Sequence, residues 1–531
     1  MPIGTMACAD WLRSFKNAEP RLLERLAEIY GEDEGILEGR KMILLRALEG
    51  FASQFGSDRE VLISRAPGRV NLLGNHIDHR GGYVNYMAIN RDTLMVASPR
   101  QDDTVEMCNT NPDRFPPRAF TIEGLLPSEK RGDWLSYIED LDLPHGDWSN
   151  YVQAAVLHLQ DRFADRPLRG MDLVVTGDVP IAAGLSSSST LVVTALQAAL
   201  YFNDLYLPHE ELAEFCGDAE WYVGTRGGAG DHAAMLYAKR QAILPLRFFP
   251  LETSELPLPE GYRVVACNSF VEHAPPGIFN ERIATYEIGF LLIKSKFPQY
   301  AAKLERLRDL SEDNLGIPLT EVYRMLKELP ERMSRSEILT ALPEHAELLQ
   351  SLYSPHSEPR DGYRVRQVML FGMAECARGA RCKDLLESGD MEGFGKLKFC
   401  SHNGDRQFEF SPEGQGAPVD NTITDADLDQ LIQDLGSGDP AKADAAQIHH
   451  QPGGYDCSCE ELDLIVDLAN TVDGVVGAGL AGGGLGGCVL AVVKKSAVDA
   501  LIQKLNDEFY GPRNLSDGTL VCASVAGSSL I

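Results

Sequence analysis

Apolar residues in the first 58 positions recur at helical spacing: Trp11, Leu12 and Phe15, then Leu22, Leu23, Leu26 and Ile29, then Ile43, Leu44, Leu48 and Phe51. The pattern predicts an N-terminal layer of helices. The period then changes. Apolar and β-branched runs at 60–63, 94–98, 104–108 and 171–176 read as strands divided by Pro, Asp and Gly turns. Helices are predicted over about 149–163, with Ser149 or Asn150 as the cap, over 191–202 and over 211–222, the last closed by Gly224. Strands follow at 237–245 and 262–266, a helix at 279–294, and a mostly helical stretch from 296 to 400. From 403 to about 453 the chain turns to Gly, Asp, Gln, Pro and Ala, which reads as an acidic insertion with one short helix near 425–435. A helix at 460–469, a strand at 489–493, a helix at 497–509 and a strand at 520–524 complete the pattern.

At 531 residues the chain needs more than one core. We divide it into an N-terminal helical extension (1–58), a first domain (59–250) and a second domain (251–531) that carries the insertion. The net charge of −29 argues against nucleic acid or an anionic membrane as the main partner, since both need a basic face. Eleven cysteines without a close-spaced framework fit free thiols in a reducing cytoplasm. Asp10, Arg13 and Lys16 precede any long apolar run, unlike a signal peptide. Residues 475–493 carry no charge, yet their glycines suit a tight loop better than a membrane span. Oligomeric state is not fixed by any of this; a monomer is compatible with it.

The polar chemistry lies in four places. Residues 65–82 set Arg65, Arg69, Asn71, Asn75, His76, Asp78, His79 and Arg80 among strand-like apolar residues and Gly turns. Residues 181–190 join a Gly184-Leu185 hinge to Ser186, Ser187, Ser188, Ser189 and Thr190, with an apolar helix behind. A helix N-terminus with serine hydroxyls beside it can bind phosphate, and the same letters suit an ordinary capped helix. Residues 225–232 open with Thr225 and Arg226 and present Asp231 at the end of a glycine run. Residues 473–488 hold the densest glycines, including Gly482, Gly484 and Gly487. These three satisfy the dinucleotide-binding spacing but run into a strand, where that fingerprint opens a helix. No P-loop pattern occurs. Cys457-Ser458-Cys459 lacks zinc-site spacing, and His449-His450 reads as surface.

Residues 65–82, 184–190 and 478–488, in this order, resemble the three motifs of the GHMP kinases, and specifically of their galactokinase branch. Shorter similarities lie at 148–152, 268–269, 401–402 and 455–463. The resemblance implies an α+β, two-domain GHMP kinase fold with the active site in the interdomain cleft. It implies an ATP-dependent kinase acting on a small-molecule sugar, with ATP and Mg²⁺ as cofactors. By position, Asp231 matches the catalytic aspartate and Arg69 the arginine that supports the accepting hydroxyl and the transferring phosphoryl group. Gly184, Leu185, Ser186, Ser187, Ser188 and Ser189 match the ATP phosphate loop. Ser188 and Glu220 match the Mg²⁺ ligands, and Asn75, His76, Asp78, Gly228 and His232 the substrate side. Asn75 stands where galactokinases carry Glu, His79 where they carry Tyr, and His232 where they carry Gln. An amide donates as well as accepts, so the pocket could take galactose, arabinose, a uronic acid or an amino sugar. Two other readings, a non-catalytic sugar and ATP sensor or a kinase of a non-sugar alcohol, are disfavoured by the full serine motif and by the sugar-type segment 74–82.

Overall fold

The helical spacing at the start of the chain becomes Cys8–Lys16 (α1), Pro20–Tyr30 (α2) and Glu34–Phe55 (α3). The structure is a computed structural model and describes residues 3–139, 141, 143, 146–224, 227–272, 277–411 and 414–531; Thr225 and Arg226 of the glycine run therefore lie outside the described residues. Trp11, Phe15, Leu26, Ile29, Leu48 and Phe51 share one core cluster with Val61, Ile63, Val96 and Val174 of the neighbouring sheet. The layer is thus the cover of that sheet's back face. Polar ties reinforce it: Trp11 Nε1 donates to the Val61 carbonyl at 3.3 Å, and Arg40 Nη1 donates to Asp178 at 2.8 Å and to Asp92 at 3.2 Å. Replacing Trp11 by Ala is expected to lower the unfolding free energy by about 3–5 kcal/mol in urea titration. A loss below about 1 kcal/mol would mean that the layer opens independently of the sheet.

The first sheet is built on Glu60–Asn71 (β1), Val84–Pro99 (β2), Thr104–Asn109 (β3) and Met171–Gly177 (β4). Across the sheet the order runs Met6–Ala7, β1, β2, β4, β3, Arg118–Thr121. β3 and β4 are parallel; the other pairs along this path are antiparallel. Both β1 and β2 are much longer than the expected strands at 60–63 and 94–98. Their residues are buried almost without a break because both faces are covered, so no polar alternation marks them. The second cover is Ser149–Arg162 (α4) and Ser187–Phe202 (α5), whose apolar faces meet Leu62, Ala66, Met95 and Ala97. Register between β1 and β2 slips between Pro67 and Arg69, a bulge in the middle of the arginine motif.

His209–Glu220 (α6) ends close to its expected bound, but the next stretch departs from it. The strand expected to begin at 237 starts only at Ala242 and runs to Arg247 (β5), and Gly230–Tyr237 is a helix (α7). Asp231 sits in its first turn, where a carboxylate meets the positive end of the helix, and Ala233, Ala234 and Met235 are fully buried.

The second lobe holds a four-stranded antiparallel sheet in the order Val475–Leu480, Cys488–Lys494, Tyr262–Asn268, Thr519–Cys522. The uncharged glycine stretch is therefore half strand, and only 481–487 turns. Met391–Asp405 (α10) packs on it, Val365–Ser388 (α9) packs on α10, and Gly277–Lys296 (α8) packs on α9. The division near 250 also shifts. Glu252–Thr253 and Leu256–Pro257 still pair with β5, and Ser529–Leu530 returns to β1, which also pairs with Met6–Ala7, so the first lobe takes in residues from both sides of the second. Within the expected insertion, Asp425–Leu435 is the predicted short helix, anchored by fully buried Leu428. His449 is buried, not at the surface. All eleven cysteines are free thiols. Among the described residues no helix is long and apolar enough to cross a membrane.

Candidate active site

The serine loop runs from β4 into α5 through three left-handed positions, Ala182, Gly184 and Ser186, with φ of 55°, 73° and 61°. Ser186 occupies the N-cap position of α5, yet its hydroxyl does not cap the helix. It donates instead to Asp231 Oδ2 at 2.6 Å. The first-turn amides of α5 are thereby left without a side-chain acceptor, which suits an incoming anion. The glycine turn at 481–487 presses on this loop from the second lobe. A Cβ on Gly482 would lie 2.7 Å from the Gly184 carbonyl oxygen, and one on Gly487 2.8 Å from the Ala183 carbonyl carbon. The two glycine-rich motifs of the sequence are thus one contact. Leu185 departs from its expected place in the nucleotide site: its side chain is buried in the core, as an apolar group next to Val70 and Met87 would be, and it meets the site only through its carbonyl, which accepts the Arg69 N–H at 3.2 Å.

Arg69, just past the β1 bulge, faces the loop with its guanidinium. Nε and Nη2 donate to the two oxygens of Asp231 at 2.7 and 2.6 Å, and Nη1 donates to the Gly184 carbonyl at 2.6 Å. This bidentate fork fixes both residues. Burial opposes charge on Asp231, but the Arg69 guanidinium outweighs it, and the carboxyl is held below the usual carboxylate range. Asp231 is therefore ionised at neutral pH.

Glu220, at the end of α6, accepts from the Ser189 hydroxyl at 2.8 Å, and Ser188 also hydrogen-bonds it. His232 Nε2 lies 3.0 Å from the same carboxylate. His232, expected on the substrate side, thus has its polar edge at Glu220. Burial would raise the Glu220 pKa, and the His232 and serine contacts outweigh it, so this carboxyl also stays below its ordinary value.

Residues 74–82 form a turn from β1 to β2. Asn75 is 2% exposed, and its Oδ1 is buried with no hydrogen-bond partner. His76 stacks on Tyr455 at 4.4 Å between ring centroids, with Nε2 3.5 Å from Asp405 Oδ2. Asp78 accepts the Gly230 N–H at 3.1 Å and contacts His79 Nδ1 at 3.1 Å. Burial opposes its charge; these contacts win, and its pKa falls to about 2. Gly228 packs against the Asp78 carboxylate, where any Cβ would collide with it.

Arg69, Asn75, His76, Asp78, Gly184, Ser186–Ser189, Glu220, Gly228, Asp231 and His232 all line one cavity of about 760 Å³. At positions far from these in sequence the cavity also takes in Arg46 of α3, Thr110, Arg114, Trp148 and Tyr151. The sequence reading gave none of these a site role. Trp148 and Tyr151 lie within one of the shorter similarities noted above, but Arg46 lies in a helix read as an outer layer, and only packing brings it to the cavity.

Comparison with known proteins agrees with this geometry. Family models match at 49–99 (galactokinase galactose-binding signature), 150–239 (GHMP kinases N terminal domain) and 430–511 (GHMP kinases C terminal). A galactokinase from Dictyostelium discoideum is 28% identical over 94% of this chain and 93% of its own length. One from Chloroflexus aurantiacus is 27% identical over 92% and 98%, and one from Bos taurus 26% over 88% and 93%. In fold, the chain is similar to Lactococcus lactis galactokinase solved with galactose, with a TM-score of 0.62 and 22% identity over 91% of this chain and 98% of that one. The chain carries the galactokinase galactose-binding signature and both GHMP kinase domains, is similar to galactokinases over nearly its whole length, and is an ATP-dependent phosphotransferase with an alcohol group as acceptor.

Proposed function

We propose that this chain is a sugar kinase that transfers the γ-phosphoryl group of ATP to a monosaccharide, at the anomeric C1 hydroxyl of galactose or a stereochemically related sugar. The observation that carries the reading is the single Arg69–Asp231–Ser186 cluster at the serine loop, which shares one cavity with the turn of Asn75, His76 and Asp78. Phosphoryl transfer needs in-line alignment of nucleophile and phosphate and cations against the developing charge. Asp231, ionised, would accept or orient the sugar hydroxyl. Arg69 would hold Asp231 in place and face the phosphoryl group. The amides of α5 would cradle the phosphates, with the wall at Trp148 and Tyr151 left for the base.

Mg²⁺ fits the donor set. Glu220 with the hydroxyls of Ser188 and Ser189 supplies hard oxygens, and no group of three or more His, Cys, Asp or Glu among the described residues is placed to hold a metal. A cation here would share these few protein oxygens with water and phosphate, as Mg²⁺ does. When bound it neutralises phosphate charge.

The reading is tested by ADP release from purified protein with ATP and Mg²⁺ against galactose, arabinose, galacturonate, N-acetylhexosamines and inositols. Turnover of galactose or a close relative supports it; binding without turnover of any would favour a sensor. Asn75 is the expected specificity residue, because its buried Oδ1 lacks a partner that a ligand can supply. Asn75→Glu is expected to shift the ratio of kcat/KM between two sugars by about tenfold or more. A ratio that does not move would remove Asn75 from substrate selection.

A further inference from the structure

The turn that carries Asn75, His76 and Asp78 is held from the other lobe. Glu375, in the middle of α9, is fully buried and lies outside the cavity wall. Its Oε1 accepts the backbone N–H groups of Gly74 at 2.9 Å and Asn75 at 2.8 Å, together with the Ser401 hydroxyl of α10 at 2.9 Å. Its Oε2 accepts Arg378 Nε at 2.5 Å, one helical turn along. Arg378 in turn donates to the Gln451 carbonyl at 2.7 Å. Beside this, Asn85 Nδ2 donates to the carbonyls of Leu73 at 3.0 Å and Gly379 at 3.1 Å, bridging the turn and α9. Gly379 lies so close to the Tyr83 carbonyl that no side chain fits between them.

We propose that Glu375 is a positioning residue for the sugar: it clamps the Gly74–Asn75 backbone to the second lobe, and so sets where the Asn75 amide and the His76 ring stand in the cavity. The inference rests on the sugar-binding reading of that turn. Three considerations carry it. A buried carboxylate persists only where donors satisfy it, and here two of the four hydrogen bonds come from the turn itself. Charge-assisted bonds to two successive amides fix peptide orientation more tightly than neutral ones. Asn75 lines the cavity and its Oδ1 has no hydrogen-bond partner, so the bond from its own backbone N–H to Glu375 is a polar tie that sets where it stands. The phosphate loop makes none of these contacts. Loss of the clamp should therefore disturb the sugar end and spare the nucleotide end.

The test uses the full-length protein with galactose and ATP, comparing wild type with Glu375→Gln and Glu375→Ala. Gln keeps the volume but cannot accept on both sides, since its NH₂ group must face either Arg378 or the turn amides. The expected result is a rise of about tenfold or more in KM for the sugar, with KM for ATP within about twofold and kcat less affected. Hydrogen exchange adds a readout independent of turnover: the Gly74 and Asn75 amides should be protected in the sugar-free wild type and exchange faster in Glu375→Gln. Equal changes in both KM values, no change in either, or unprotected amides in the wild type would overturn the proposal. If Glu375→Ala does not fold, Glu375→Gln and the wild-type exchange still decide it. A wild type that turns over no sugar would overturn the functional reading and this role with it, whereas an active wild type with unsplit KM values in the variants removes Glu375 alone.

Discussion

Replacing Asp231 by Asn is expected to lower kcat by about 10²–10⁴-fold, with both KM values changed by less than about threefold. Asn keeps the size of the carboxylate but loses its charge and one acceptor. In either orientation its NH₂ group would then face an Arg69 N–H that it cannot accept from, and in one of them the Ser186 hydroxyl as well. The substrates contact other groups as well, so binding should survive while alignment of the accepting hydroxyl is lost. Initial rates of ADP release measure this, and a variant within about threefold of wild-type kcat would sink the catalytic assignment. The wild-type pH profile gives a second reading. Because Arg69 holds Asp231 below the usual carboxylate range, the acid limb due to Asp231 should lie below that range, and activity should not fall between pH 7 and 5 on its account.

Replacing Arg69 by Met should cost more, about 10³–10⁵-fold in kcat, because it removes the cation proposed to face the phosphoryl group and frees Asp231 at once. The sign of the pH effect follows. In the wild type the folded pKa of Asp231 is depressed, so the pair stabilises the protein above the unfolded pKa, and this is lost as pH falls through the folded value. Without Arg69, burial of Asp231 is unopposed and its pKa rises. The variant should be destabilised at neutral pH and recover part of that as pH falls and the carboxyl protonates. The Asp231 side chain is 31% exposed to the cavity, so the stability loss should be about 2–3 kcal/mol, below that of a fully enclosed pair. Arg69→Lys should restore little, since an ammonium cannot bond both Asp231 oxygens and the Gly184 carbonyl in one plane. An acid limb in Arg69→Met that stays at the wild-type position would show that Arg69 does not set the state of Asp231.

Local spacing was a good guide wherever an element has one wet face. Helices α1 to α3 and Asp425–Leu435 follow their apolar periodicity to within a few residues. It was a poor guide for β1 and β2, which are covered on both faces and so show no alternation, and for α7, whose glycine-rich start reads as loop until its alanines are buried against neighbours. Arg69, Asp231, Glu220 and the serines, singled out by motif resemblance, line one cavity. Leu185 was misplaced because its motif position does not say which way its side chain turns. The position of His232 against Glu220 depends on the relative placement of α6 and α7, which no short pattern encodes.

By itself the sequence determined the chemical inventory: a run of serines ahead of an apolar helix, an arginine and an aspartate 162 positions apart, and two glycine-bearing loops. Those are properties of residue type and local geometry. Tertiary structure alone decided that the two glycine motifs press on each other across the lobes, that Ser186 gives its hydroxyl to Asp231 and leaves the helix uncapped, that Arg46 reaches the cavity, and that Glu375 accepts the Gly74 and Asn75 amides. Each depends on which groups are enclosed together away from water. Burial makes an unpaired donor or charge costly, so it is the packed fold that selects partners far apart along the chain.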